Sequence, residues 1–378
     1  MDRSRESHDF TRMSLLASTA ATPESASGRS SEVTSGKPAD RAVQAVAVEA
    51  NGTRATLRDW AQLVRLPATP TAAADILAGA VLAGAGWLPL TATLLMVLAS
   101  VQLYWAGMML NDVNDLQADR RAGRPSPLVR GTISPLLASR IGHSLLVGGV
   151  LSALLAGGLA GSLRLVGFWP WAGVSMAVAI ALATTIRLYD SPLKATALGP
   201  ALMGMCRALN LLLGVSLLGS GLWTEAGLWE RWPAVLWGAG AYAVYIAGIT
   251  WAARQEAREQ SSRLDLVGGW SLSALGVGGL AALPWWLGSV IPGDAGLSPE
   301  RGYPLAMLLL SLPTAVRAVH ACIDRRPASV QAAVRQGLLT ILFYHGLLVA
   351  QLWTPLAGLL LLSLLYPARL AGRWMRMT

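Results

Sequence analysis

Asn111 to Ser134, NDVNDLQADRRAGRPSPLVRGTIS, is the stretch whose reading decides the fold. It packs Asn111, Asp112, Asp115 and Asp119 into little more than two helical turns, between two strongly apolar runs. Asn111, Asp115 and Asp119 lie four apart, so a helix puts them on one stripe with Asp112 beside it. Only 13% of the chain is charged, so four oxygen donors at the edge of an apolar run stand out from the background. Hard oxygen donors in a row suit Mg²⁺, which binds through one or two carboxylates plus substrate phosphates. Arg120, Arg121, Arg124 and Arg130 follow at once, and guanidinium groups beside metal-holding carboxylates are what a diphosphate requires. A solvated, salt-bridged loop is the plainer alternative, and the residues alone leave it open. A calcium loop of EF-hand type fits less well: counted from Asp112, Gln117 stands where it wants Gly and Gly123 where it wants Glu.

The surrounding chain is that of a membrane protein. It has 378 residues, 53% of them hydrophobic, and a mean hydropathy of +0.48; soluble domains carry about 25% charged residues. Fifteen Trp against three Phe fits side chains that anchor at the headgroup level. The net charge of +9 does not point to nucleic acid, because the basic residues sit in short loops between apolar spans. Cys206 and Cys322 are too few and too far apart for a disulfide framework or a zinc site.

Residues 1–55 are rich in Ser, Ala, Thr and mixed charge and are expected to be disordered. Leu57 to Leu66 reads as a short amphipathic helix lying on the membrane. Apolar runs long enough to cross a bilayer core are expected near 69–87, 89–110, 136–161, 166–187, 196–220, 231–252, 267–291, 303–321, 332–350 and 354–371. One membrane domain over 56–372 and a basic tail over 373–378 follow. Leu352-Trp353-Thr354-Pro355 reads as a tight turn; one bent helix there would give nine crossings instead of ten. With a cytoplasmic N-terminus, the inner loops carry Arg120, Arg121, Arg124, Arg130, Arg187, Lys194, Arg254, Arg258, Arg263, Arg325 and Arg326, and the outer loops only Arg164, Arg231 and Arg301. Ten spans also bring Arg369, Arg373 and Arg376 inside, which favours ten. The expected location is a bacterial inner membrane.

Asn111-Asp112-x-x-Asp115-x-x-x-Asp119, followed by Arg124-Pro125-x-Pro127-x-x-Arg130-Gly131-x-Ile133-Ser134, resembles the first motif of the UbiA family of membrane prenyltransferases. Arg65-Leu66-Pro67 at the entry to the first span and Tyr189 through Leu193-Lys194 after the fourth also look like that family. The resemblance covers roughly residues 57–350. It implies an all-α polytopic bundle of nine or ten helices around a central cavity, open to a cytoplasmic-side diphosphate site. It implies Mg²⁺ held by Asn111, Asp112, Asp115 and Asp119, and diphosphate contacts from Arg124, Arg130, Tyr189 and Lys194. On their own, Lys194 and Tyr189 read equally as a snorkelling Lys and a belt Tyr.

The third loop departs from the family, which carries a second aspartate motif there. Here the sequence is Arg254-Gln255-Glu256-Ala257-Arg258-Glu259. Glu256 and Glu259 are three apart and suit a second Mg²⁺; Arg254 and Arg258 are four apart and suit diphosphate directly; an ion-paired helix face is the third reading. Arg207 and Asp75 are intramembrane charges, which normally face a cavity or each other. Arg207 is expected to hold diphosphate or to pair with a carboxylate. Asp75 is expected to be either its structural partner or a group that orients the acceptor. The expected activity is Mg²⁺-dependent transfer of an isoprenyl group from a prenyl diphosphate to a small aromatic acceptor, in contact with membrane lipid. The alternatives are a non-catalytic protein of the same fold that binds or moves an isoprenoid, and, more distantly, a transporter coupled through Asp75 and Arg207.

Overall fold

The computed structural model describes residues 55–84, 86–164, 167–218, 231–257, 260–287, 297–298 and 300–376. The segment expected to be disordered therefore lies, but for its last residue, outside the described residues. The described chain is all helix. Helix α1 (Leu57–Leu63) opens with a capping box, in which Thr56 accepts from the Asp59 backbone and the Asp59 side chain accepts from Thr56. Helix α2 (Thr69–Leu82) follows, then α3 (Leu90–Arg121), α4 (Pro135–Leu163), α5 (Phe168–Tyr189) and α6 (Leu198–Val215). The second half holds α7 (Trp232–Ala253), α8 (Arg263–Ala281), the short α9 (Leu283–Leu287), α10 (Gly302–Asp324), α11 (Pro327–Leu352), α12 (Pro355–Leu362) and α13 (Leu365–Arg376).

Among the described residues, nine helices are long and apolar enough to cross a membrane. The shorter run Leu66–Leu82 makes a tenth candidate. The protein is a multi-pass integral membrane protein. The last two expected spans are separate: the chain turns at Trp353, and Gly358 of α12 packs on Ala350 of α11. The expected final span is itself broken near Ser363, and its second half is α13. Arg373 and its neighbours up to Arg376 continue that helix, so the expected tail is not a separate element there.

The apolar core divides into two large clusters and a smaller one, in which Leu63 and Val64 pack with Met109, Leu128, Ile133 and Ala138. Of the large clusters, one joins α3, α4 and α5; the other joins α7, α8, α10 and α11. Helices α2 and α6 contribute to both, so they form the seam of the bundle. Their close crossing depends on glycine. A Cβ at Gly79 of α2 would overlap the Leu211 carbonyl, and one at Gly214 of α6 would overlap the Ile76 carbonyl. Small residues let membrane helices approach until backbones touch. The crossing sets Asp75 of α2 beside Arg207 and Asn210 of α6.

Candidate functional site

Helix α3 has 32 residues, about 48 Å at 1.5 Å per residue, well beyond a hydrocarbon core of about 30 Å. Leu90 to Leu110 is long enough to cross that core, so the 111–121 end reaches the headgroup level. Asn111 is buried there, and Asp112, Asp115 and Asp119 are partly buried, while Asn114, Gln117, Ala118 and Arg120 between them are exposed. The four-residue spacing turns the oxygen donors inward.

Each carboxylate of the stripe meets one cation. Arg65 Nη2 approaches Asp112 at 3.5 Å and Arg124 Nη1 approaches Asp119 at 3.2 Å. Lys194 pairs with Asp115 and donates to Asn111 Oδ1 at 2.7 Å. Lys194 comes from the loop after α5, where Pro192–Ala195 forms a 3₁₀ turn capped by Ser191. Asn114 holds that loop to α3 through the Asp190 carbonyl at 3.0 Å. The loop after α7 closes the third side. Arg254 donates to the Lys194 carbonyl and to the Thr196 carbonyl, the latter at 2.6 Å. Gly199 leaves room for this: an added Cβ would overlap both Arg254 Nη2 and the Lys194 carbonyl. Arg254 is thus a clamp on the loop that presents Lys194.

These three loops surround a polar cavity of about 1080 Å³ with Asp115, Arg124, Lys194, Asp190 and Glu256 among its walls. Beneath it lies a mostly apolar cavity of about 360 Å³, lined by Leu103, Ile186, Ile249 and Leu338 among others. Tyr189, Asp190, Thr250, Ala253 and Glu256 line both cavities and form the neck between them.

Asp190 is a site residue that the motif reading passes over. It is 8% exposed, and its Oδ2 has no hydrogen-bond partner among the described residues. Burial pushes its carboxyl up to about 7, although Lys194 and Arg187 pull it back. The available signal was an acid between Tyr189 and Pro192 at the end of an apolar span.

Other expected residues fall elsewhere. Arg130 does not line either cavity. It bonds Asp59 Oδ1 at 2.8 Å and Gln62 Oε1 at 3.1 Å, tying the loop after α3 to α1. Arg207 does not reach the polar cavity either. It pairs with Asp75 at 2.9 Å and lines the apolar one. Asp75 is fully buried and also accepts from Asn210, Tyr242 and His345. Of the two roles expected for Asp75, the structural partnership is the one on display. Arg258 and Glu259 lie outside the described residues.

Whether Mg²⁺ fits can be judged from the donors. Among the described residues, no three Asp, Glu, His or Cys side chains converge on one point. Asn111 Oδ1 and Asp115 Oδ2 do converge, on the Lys194 ammonium. Two protein oxygens at a point already favourable to a cation suit an ion whose other ligands are phosphate and water. Of the pair expected to hold a second ion, Glu256 stands at the neck.

No family model matches the sequence, and no curated protein matches it. The fold is similar to a solved structure of a digeranylgeranylglyceryl phosphate synthase studied for biosynthesis in membranes, with a TM-score of 0.50 and 15% identity. The match covers 82% of this chain and 99% of that one. At that identity it is the arrangement of helices that the two share.

Proposed function

We propose that this protein is an intramembrane prenyltransferase, which moves an isoprenyl group from a prenyl diphosphate to a small aromatic acceptor. The observation that carries the reading is the pair of joined cavities: one polar at the headgroup level, where Arg124, Lys194 and Arg254 stand among the carboxylates of Asp115, Asp190, Glu256 and Asp265, and one apolar beneath it, with a shared neck. A prenyl diphosphate has that same division, a charged head and a hydrocarbon tail. The likeness to a membrane prenyltransferase fold supports the reading. The basic residues of the loops around the polar cavity support a cytoplasmic-side site, by the positive-inside rule.

In this reading the diphosphate lies between Lys194 and Arg124, with Asp115 in the wall of the polar cavity and Asn111 in that of the apolar one; Asp112 and Asp119 line neither cavity and act through their partners Arg65 and Arg124. Lys194 then exchanges Asp115 for phosphate oxygens, keeping a compact charge on the leaving group. Asn111 and Asp115 would hold Mg²⁺, which as a Lewis acid neutralises charge on the departing diphosphate. Glu256 would take part in holding a second ion, with Glu259 and Arg258 near it in sequence. Arg254 keeps the Lys194 loop in place, so its role is positioning. The C1–O bond to diphosphate breaks at the neck, where the apolar walls keep water from the allylic cation. The acceptor forms the new bond to C1 and releases a proton.

A second reading is favoured by a specific observation. Every carboxylate of the stripe is already paired one to one with a cation, as a protein that binds an isoprenoid without turning it over would also have. The two separate in one experiment. Membranes containing the protein are incubated with labelled prenyl diphosphates of several lengths, Mg²⁺ and a panel of aromatic acceptors. Labelled product and free diphosphate that vanish in Asp115→Ala support transfer; saturable binding with no product supports the carrier.

A further inference from the structure

The inner end of the apolar cavity carries two polar groups with bonding capacity to spare. Arg207 and Tyr104 both line it. A guanidinium has five N–H groups. One of these goes to Asp75 Oδ2 at 2.9 Å and one to Thr71 Oγ1 at 2.7 Å. The others have no hydrogen-bond partner among the described residues, and 13% of the side chain stays exposed to the cavity. The Tyr104 hydroxyl likewise has no hydrogen bond among the described residues, and its ring centre lies 5.9 Å from the guanidinium carbon. Ser100 and Asn210, at the same depth, are engaged with each other at 2.8 Å and with the Ala72 carbonyl. Polar groups that face an apolar cavity cost free energy until a ligand bonds them.

Charge decides which ligand suits. Asp75 is fully buried against Arg207, so the pair is neutral as a unit. An anion placed there would add an uncompensated negative charge among Leu103, Ile186 and Ile249, whereas an uncharged oxygen keeps the balance and still takes the N–H and O–H donors. Arg207 and Tyr104 line the same cavity of about 360 Å³ as Tyr189 and Asp190 of the neck, with Cys206 also in its wall. The Arg207 end and the neck are therefore close enough to be bridged by one small molecule.

We propose that Arg207 and Tyr104 bind the uncharged oxygen of an aromatic acceptor, a phenol, quinol or quinone type of ring, with its reacting edge toward the neck at Tyr189. The word acceptor rests on the prenyl-transfer reading; the binding does not. The test uses three probes of one skeleton, naphthalene, 2-naphthol and 2-naphthoate, titrated into the purified full-length protein in detergent and read by quenching of Trp fluorescence. No diphosphate is present, so failure of prenyl transfer and failure of this site are read separately. 2-Naphthol is expected to bind about tenfold more tightly than either other probe. Tyr104→Phe, a change that removes one oxygen and leaves the ring, is expected to lose about fivefold for 2-naphthol and nothing for naphthalene. Equal affinity for naphthalene and 2-naphthol, tightest binding of 2-naphthoate, or a Tyr104→Phe protein that binds 2-naphthol like the wild type would each overturn the proposal.

Discussion

Replacing Asp75 by Asn keeps the shape and removes the charge. Each Asp75 oxygen accepts two hydrogen bonds: Oδ1 from Tyr242 and His345, Oδ2 from Arg207 and Asn210, all at 2.8–2.9 Å. An amide in the same place turns one acceptor into an NH₂ that faces two donors. It also strands the Arg207 guanidinium in a site where Asp75 has no solvent exposure. Breaking a buried pair by removing one partner costs about 3–5 kcal/mol. At about 2 °C per kcal/mol for a large chain, the apparent Tm should fall by about 6–10 °C. The fifteen Trp residues make intrinsic fluorescence in detergent a convenient assay. Asp75→Asn with Arg207→Met also removes the stranded charge, so the double variant should recover about half of the loss. A single variant that melts within about 1 °C of wild type, or a double variant worse than the sum of the two singles, would refute the idea that Asp75 compensates Arg207.

Three further outcomes follow from the site. Asp190 sits at about 7 in the folded protein against an ordinary 3.8, so the folded state keeps a proton that the unfolded chain gives up in between. Stability should therefore fall as pH rises from about 4 to about 7 and level off above; between pH 5 and 7 the loss is at most about 3 kcal/mol, and Asp190→Asn should flatten that slope in thermal melts. Lys194→Gln should weaken binding of a non-hydrolysable prenyl diphosphate analogue by about tenfold or more; Arg130→Gln should change it by no more than about twofold, because Arg130 is a half-exposed partner of Asp59. Gly199→Ala should cost about 1–3 kcal/mol in melts by crowding Arg254 and the Lys194 carbonyl, and should lower diphosphate affinity along with it.

Much of the fold was legible because membrane spans are written as long apolar runs. Eight of the ten expected spans coincide with helices of span length; the last is the run Pro355–Met375, broken near Ser363, and the first is the shorter Leu66–Leu82. The carboxylate stripe was legible for a similar reason: its period is that of one helix. What the sequence hid is anything set by two elements at once. Arg130 and Arg124 look alike in one basic loop, yet Asp59 of α1 takes the first and Asp119 keeps the second. Arg254, expected as a diphosphate ligand, does line the polar cavity, but the loop carbonyls it also bonds were hidden, 60 and 58 residues away in sequence. Asp190 gave only a faint sign, since an acid after a span usually faces water. The Asp75–Arg207 pairing was foreseeable on cost alone, because neither charge is tolerable in hydrocarbon without a partner; that His345 and Tyr242 complete it required the crossing of helices 270 and 167 residues apart in sequence.

The most direct test of the two-cavity account is a structure with a non-hydrolysable prenyl thiodiphosphate and Mg²⁺. The account predicts the diphosphate between Lys194 and the 111–119 stripe, the Lys194 ammonium moved off Asp115, and the hydrocarbon passing the neck at Tyr189 and Asp190 into the lower cavity. A diphosphate bound elsewhere, with the Lys194–Asp115 pair intact and the lower cavity empty of the chain, would contradict it.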